Sequence, residues 1–215
     1  MKHTTLSIEL HYLPSIAYFV YLSSFEKVVF DLNDRYSKQT YRNRCRINGA
    51  NNVENLIIPI KKNFNKTRFT RNVEIDYGQK WLGKHLRAIQ SAYGKSPFFE
   101  YFADDFFAIY NKKPDLLFDL NKELLTKCLE ILDLSIKVQF TEKIDPNDKN
   151  GLFDAANSIN PKNTSGKNSL FDPVSYFQVF GKNFVNNLSI IDLIFCEGPQ
   201  ARQILEKSRA KNNQI

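Results

Sequence analysis

Residues 4–32 constrain the fold more than any other part of the chain. The stretch "TTLSIEL" (4–10) alternates polar and apolar side chains, and "VYLSSFEKVVFDL" (20–32) ends in an apolar, β-branched run from Val28 to Leu32. Both read as strands. Between them Pro14 suits the opening of a helix, and Ile16, Phe19, Val20 and Leu22 follow helical spacing. A strand, a short helix and a second strand favour a parallel pair joined by a right-handed crossover. Sheets of this kind bind ligands beyond the carboxyl ends of their strands. In this chain those ends carry "ELHYLP" and "DLNDRYSKQ".

The segments that follow continue an α/β pattern. "YRNRCRI" (41–47) and "NLIIPIKK" (55–62) flank the Asn/Gly-rich "NGANNVE", which predicts a hairpin. "NVEID" adds a short strand. Trp81, Leu82, Leu86, Ile89 and Tyr93 give a helix over 79–93, and Ser96-Pro97 supplies a cap and a first-turn proline for "FFEYFADDFFAIY". A third amphipathic helix spans Asn121 to Leu132, and "IKVQF" returns as a strand. Residues 142–170 are rich in Asn, Lys, Asp, Ser and Gly, and read as a long polar loop with at most a helical turn near Phe153. Loops of that length are commonly mobile segments or lids. "SYFQVF" resumes order, followed by helices at 188–196 and from 199 onward. The expected architecture is one α/β domain over 1–215: a mixed sheet, flanking helices and a basic β-hairpin.

The formal net charge of +7 is concentrated. Between Arg35 and Arg71 lie ten Lys or Arg against Glu54 alone, so that window carries +9 and the remainder about −2. Such a patch points to an anionic partner. In "YRNRCRI" strand alternation would set Arg42, Arg44 and Arg46 in one cationic row, with Tyr41, Asn43, Cys45 and Ile47 behind it. No apolar run approaches the ~18–20 residues of a membrane span. The N-terminus lacks a signal-type apolar core, which reads as cytoplasmic. Cys45, Cys128 and Cys196 show no zinc spacing and are expected as buried thiols.

Candidate site residues follow from this layout. His11 lies just past the first strand, where an imidazole suits either base catalysis near neutral pH or a hydrogen-bonded turn. Asp31 and Asp34 follow the second strand, placed to orient an amine, hold a cation or cap a turn. Lys38, Arg42, Asn43, Arg44, Arg46 and Lys61 could pair with phosphate or carboxylate, and Asn43, on an otherwise apolar face, needs a partner there. His85 and Tyr93 sit on one helix, as core residues or as reach into the crevice. Cys45 faces away from its neighbouring arginines, which argues against a nucleophile. No G-x-G-x-x-G, Walker loop, G-x-S-x-G or H-E-x-x-H occurs, and no cofactor is indicated.

The segments "HYLPSIAYF", "DLNDRYSKQTYRNRCRI", "LIIPIKK", "WLGKHLRAIQSAYGKSPFF" and "SYFQVFGKNFVNNLSIIDLIFCEGP" resemble, in order, those of the WbqC-like proteins. The resemblance covers most of the chain outside 142–170. It departs at His11, where the family often has glutamine, and at Tyr41-Arg42, where a tryptophan frequently precedes the Asn-Arg pair. That pair falls on Asn43 and Arg44. The family occurs in O-antigen gene clusters and has been proposed to include a glycine transferase acting on surface polysaccharide. The implied function is a transferase of polysaccharide biosynthesis, passing glycine or another aminoacyl group to a sugar intermediate. His11 and Asp31 are then the catalytic candidates. Asp34, Lys38, Asn43, Arg44, Lys61, His85 and Tyr93 contact an anionic substrate such as a nucleotide sugar or sugar phosphate, and no metal is assigned. The rival reading is a non-catalytic module for nucleic acid or another polyanion, with Tyr36, Tyr41, Phe64 and Phe69 stacking beside the arginines.

Overall fold

The alternation at the start of the chain does produce a buried strand, and the span after it does produce a crossover helix. The computed structural model describes residues 4–62, 69–143, 151–161 and 170–210. β1 (Thr5–Ser7) pairs in parallel with β2 (Lys27–Asp31), setting Leu6 opposite Val28. Between them α1 (Ile16–Ser23) is capped by Ser15, whose Oγ accepts from the Tyr18 amide at 3.4 Å. β5 (Lys137–Thr141) joins the far side of β2, also in parallel. The hairpin forms a separate antiparallel sheet, β3 (Arg44–Asn48) against β4 (Val53–Ile57), with Arg44 opposite Ile57 and Cys45 opposite Leu56.

α2 (Trp81–Tyr93), α3 (Phe99–Asn111) and α4 (Leu117–Ile131) pack with α5 (Ile190–Glu197), which also touches α1 and α6 (Ala201–Lys207). Every residue of α5 from Ile190 to Cys196 is buried. A helix apolar nearly all round must be enclosed, and the Phe195 ring lies 5.1 Å from Phe99, 5.4 Å from Tyr93 and 5.6 Å from Phe106. Among the described residues no helix is long and apolar enough to cross a membrane.

Four expectations need correction. Inside 142–170, Leu152–Asp154 forms a strand, β6, on the outer side of β1, with Leu6 opposite Phe153. The Phe153 ring packs 5.4 Å from Phe25 rather than on a helical turn. The main sheet is therefore parallel throughout, in the order β5-β2-β1-β6. The expected lid falls largely on 144–150 and 162–169, outside the described residues. Ser96 does not cap α3: its Oγ donates back to the Tyr93 carbonyl at 2.6 Å, and the helix begins at Phe99. α4 starts four residues before Asn121, because Leu117 and Leu120 extend its buried stripe. "NVEID" and "SYFQVF" form no named strand or helix; "NVEID" makes only isolated bridges, Ile60 to Ile75 and Glu74 to Leu116.

Candidate functional site

Past its last ladder residue β1 continues extended, and the Ile8 amide still donates to Val29. In extended chain, residues two apart face the same side, so Glu9 and His11 meet: Glu9 Oε1 and His11 Nε2 are 3.1 Å apart and both side chains are buried. The end of β2 turns through Asp31–Asp34. The end of β6 leads to Asn157, whose amide donates to Glu9 Oε2 at 2.9 Å from a left-handed backbone (φ 58°). All three strand ends meet at Arg42.

Arg42 is only 1% exposed. Its Nε and Nη2 donate to the two oxygens of Asp34 at 2.9 and 2.8 Å, a bidentate fork. Its Nη1 lies 3.8 Å from Glu9 Oε1 and donates to Asn157 Oδ1 at 3.4 Å. Thr70 Oγ1 donates to Asp34 Oδ2 at 2.7 Å, and Asn121 Nδ2 donates to the Arg42 carbonyl at 2.8 Å. The expected row of three arginines is thereby corrected. β3 begins only at Arg44, so Arg42 sits in a turn where strand alternation does not apply, and it points inward. Arg44 and Arg46 remain on the strand, half-buried.

Two carboxylates, one guanidinium and one imidazole share this interior. Burial by itself would raise the Glu9 carboxyl, but the His11 hydrogen bond, the nearby His11 and Arg42 charges and the Asn157 amide outweigh it and hold its pKa at about 2. For Arg42, burial acts downward and the Asp34 fork with Glu9 prevails, so its pKa is raised. An ionised carboxylate only accepts, so the proton between Glu9 and His11 belongs to Nε2. The other ring nitrogen, Nδ1, is buried with no partner among the described residues. The couple has the geometry of a carboxylate-oriented imidazole base. The rings of Tyr18 and Tyr41 cover it, with centroids 4.7 and 5.7 Å away.

Of the residues singled out from the sequence, His11 contacts Glu9 and Asp34 contacts Arg42, while Asn43 and Arg44 follow Arg42 in the chain. Asn43 Nδ2 donates to the Ile58 carbonyl at 2.8 Å, the partner its position demanded, while its Oδ1 and the Arg44 Nε are buried without partners among the described residues. Asp31 lies on the same loop, but its Oδ1 closes a turn by accepting from the Asn33 amide. Lys38 is exposed. Lys61, also exposed, pairs with Glu74 at 2.8 Å. His85 belongs to another network: Tyr12 Oη is 3.0 Å from its Nδ1, and burial lowers its pKa to about 4 despite a backbone bond to Ile57. Tyr93 is fully buried, its oxygen accepts from the Asn48 amide at 3.3 Å, and burial with nearby Asp192 pushes its phenol up. Cys45 is buried, and burial likewise pushes its thiol up, away from nucleophilic use.

Glu9, Thr70, Asn121 and Asn157 were not foreseen in the site, and Arg42 was foreseen on the wrong side of its segment. Among the described residues no group of three or more His, Cys, Asp or Glu is arranged to hold a metal ion. The basic window is also less bare than its sequence implies. Asp34 and Glu9 neutralise Arg42, Glu74 pairs with Lys61, and Glu142 pairs with Arg71 at 2.6 Å.

The model of the WbqC-like protein family matches residues 10–169, and the chain belongs to that family. The matched span holds His11, Asp34, Arg42, Asn43, Arg44, Thr70, Asn121 and Asn157. It runs through 142–169, which the resemblance had set aside, and ends before 175–199, which the resemblance had included. No curated protein and no solved structure matches the chain.

Proposed function

We propose that this chain is a transferase of surface-polysaccharide biosynthesis, passing an acyl group such as glycine to an anionic saccharide intermediate in the cytoplasm. Membership of the WbqC-like family suggests a polysaccharide-associated role. The observation that carries the reading is a set of unpartnered buried polar atoms: His11 Nδ1, on the ring bonded to Glu9, and Asn43 Oδ1 and Arg44 Nε, on the two residues that follow Arg42. Buried polar atoms are paired as a rule, and these three combine a base, an acceptor and a charged donor.

His11 Nδ1 takes the proton from the hydroxyl or amine as it attacks the donor's acyl carbon, the Glu9 carboxylate stabilises the imidazolium, and the imidazolium returns the proton to the donor's leaving group as the acyl bond to that group breaks. Arg44 holds the phosphate of a nucleotide sugar or sugar phosphate and, with Asn43, orients it toward His11. Arg42 is a positioning residue, because both of its carboxylate partners are protein groups. Asp31 and Lys38, on the loop beside Asp34, border the same opening. Substrate reaches His11 once the Tyr41 ring moves aside. Residues 1–215 act as one catalytic unit.

A thermal-shift screen over nucleotide sugars, sugar phosphates, glycine donors and short oligonucleotides tests this reading. A charged hydrogen bond to phosphate contributes ~1.5–3 kcal/mol, so Arg44→Ala should weaken the hit roughly tenfold or more. His11→Ala should keep binding and lose turnover. If oligonucleotides alone bind, with a steep salt dependence and equal losses for Arg44→Ala and Arg46→Ala, the polyanion-binding reading replaces this one.

A further inference from the structure

A groove of about 440 Å³ lies between β4 and the first turns of α2, lined by Glu54–Ile57, Pro59, Gln79–Trp81, Lys84, His85 and Ala88. It shares no lining residue with the Arg42 cluster. Three features distinguish it. First, the N-terminus of α2 opens here without a side-chain cap: the Lys80 side chain makes no capping bond, and no acidic residue occupies the first turn. The Trp81 amide donates to the Gln79 carbonyl at 2.8 Å; the next amides of a helix have no intrahelical acceptor and carry the positive end of its dipole. Instead of an acid, the exposed Lys80 and Lys84 add charge of the same sign. Second, Trp81 is 5% exposed, and its Nε1–H is buried with no partner among the described residues. Third, Ile57, one of the few large apolar side chains left exposed, forms an apolar wall with Leu56, Pro59 and Ala88.

Helix amides, two ammonium groups and an unsatisfied indole N–H all seek acceptor oxygens carrying negative charge. The apolar wall and the edge-to-face Trp81–His85 pair, 5.0 Å between centroids, seek a flat hydrophobic body. Glu54 is the single acid of the lining, and its carboxylate lies by the Gly49 turn, at the opposite end of β4 from Ile57. We propose that this groove is a second ligand site, which takes a ring-bearing phosphomonoester with its phosphoryl group at the start of α2. The inference stands apart from the reading of the Arg42 cluster, since it uses different residues.

Trp81 is the only tryptophan of the chain, so its emission reports on this groove alone. The intact protein is titrated with inorganic phosphate, glucose 1-phosphate and uridine monophosphate. A saturating, one-site change in emission is expected with at least one ring-bearing probe. Lys84→Glu, an exposed change whose fold is checked by circular dichroism, should weaken it tenfold or more, and His11→Ala, beside Glu9 and away from the groove lining, should leave it within twofold. The proposal is overturned if no probe alters the emission, if Lys84→Glu binds as the wild type does, or if His11→Ala abolishes the change. It is also overturned if inorganic phosphate binds as tightly as either ring-bearing probe.

Discussion

Arg42→Ala should be the most damaging single substitution among the basic residues. Among the described residues its guanidinium is the cation that both Asp34 and the buried Glu9 share, and its side chain is 1% exposed against 23% for Asp34 and 3% for Glu9. Removing one member of a buried pair leaves the other charge uncompensated, at a cost of about 3–5 kcal/mol. For a chain of this length each kcal/mol moves Tm by ~2–4 °C, so the expected drop is roughly 6–20 °C. Urea unfolding at neutral pH measures the free energy directly. Arg42→Met separates charge from packing, because methionine fills much of the stem's volume and supplies no donor. It should fall nearly as far as alanine, and adding Asp34→Asn to it should restore part of the loss. Arg44→Ala and Arg46→Ala, on half-buried strand positions, should stay within ~0.5 kcal/mol of the wild type. An Arg42→Ala protein within about 1 kcal/mol of the wild type would refute the reasoning, as would an equal loss from Arg44→Ala.

Other outcomes follow from the same contacts. Glu9's folded-state pKa, about 2, lies below its ordinary 4.5, so its stabilisation is fully present above pH 4.5 and is lost as pH falls through about 2. That shift corresponds to about 3 kcal/mol, and Glu9→Gln should flatten the stability curve across this acid range. His85, lowered to about 4 by burial, should remain neutral at pH 5.5, and nitrogen NMR showing both ring nitrogens protonated at that pH would refute this. The Ala155 amide donates to the Ser7 carbonyl at 2.9 Å, so it should exchange slowly with solvent. Exchange at the rate of an open loop would remove β6 from the sheet.

What could be read in the sequence was whatever local period dictates. β1, α1 and β2 follow from alternation, helical spacing and a cap within one short stretch, and the hairpin follows from its Asn/Gly turn. β6 has three residues in a polar surrounding, too few for a period to emerge. It is ordered by a partner strand nearly 150 positions away. Arg42 shows the complementary failure: an alternating string of arginines invites a strand, but the ladder begins two residues later. Its burial is decided by Glu9, Asp34 and Asn157, none adjacent in sequence. Strand ends drew attention to His11 and Asp34, and the family resemblance, not alternation or charge, singled out the pair Asn43 and Arg44. Glu9 was not legible, since it reads as the polar member of an alternating strand.

The neighbourhood of Arg42 divides into a satisfied half and an unsatisfied half. Arg42 and Asp34 use nearly all their hydrogen-bonding capacity on each other and on Asn157, Thr70 and Glu9. Around them the reverse holds. Six buried side-chain polar atoms lack a partner among the described residues, and four of them belong to residues that contact Glu9 or Arg42 or follow Arg42 in the chain: His11 Nδ1, Asn121 Oδ1, Asn43 Oδ1 and Arg44 Nε. Each such atom costs about 1–3 kcal/mol, which a protein of ordinary stability does not concentrate in one place without return. The paired half explains how they are kept in place. A bidentate, enclosed arginine tying three strand ends together resists the collapse that would otherwise let these atoms find partners among themselves. The pre-organised remainder then binds without a reordering cost. The two halves should therefore separate experimentally. Substitutions at Arg42 and Asp34 lower stability first and activity as a consequence, whereas Arg44→Ala and His11→Ala lower binding or turnover in a protein that still folds.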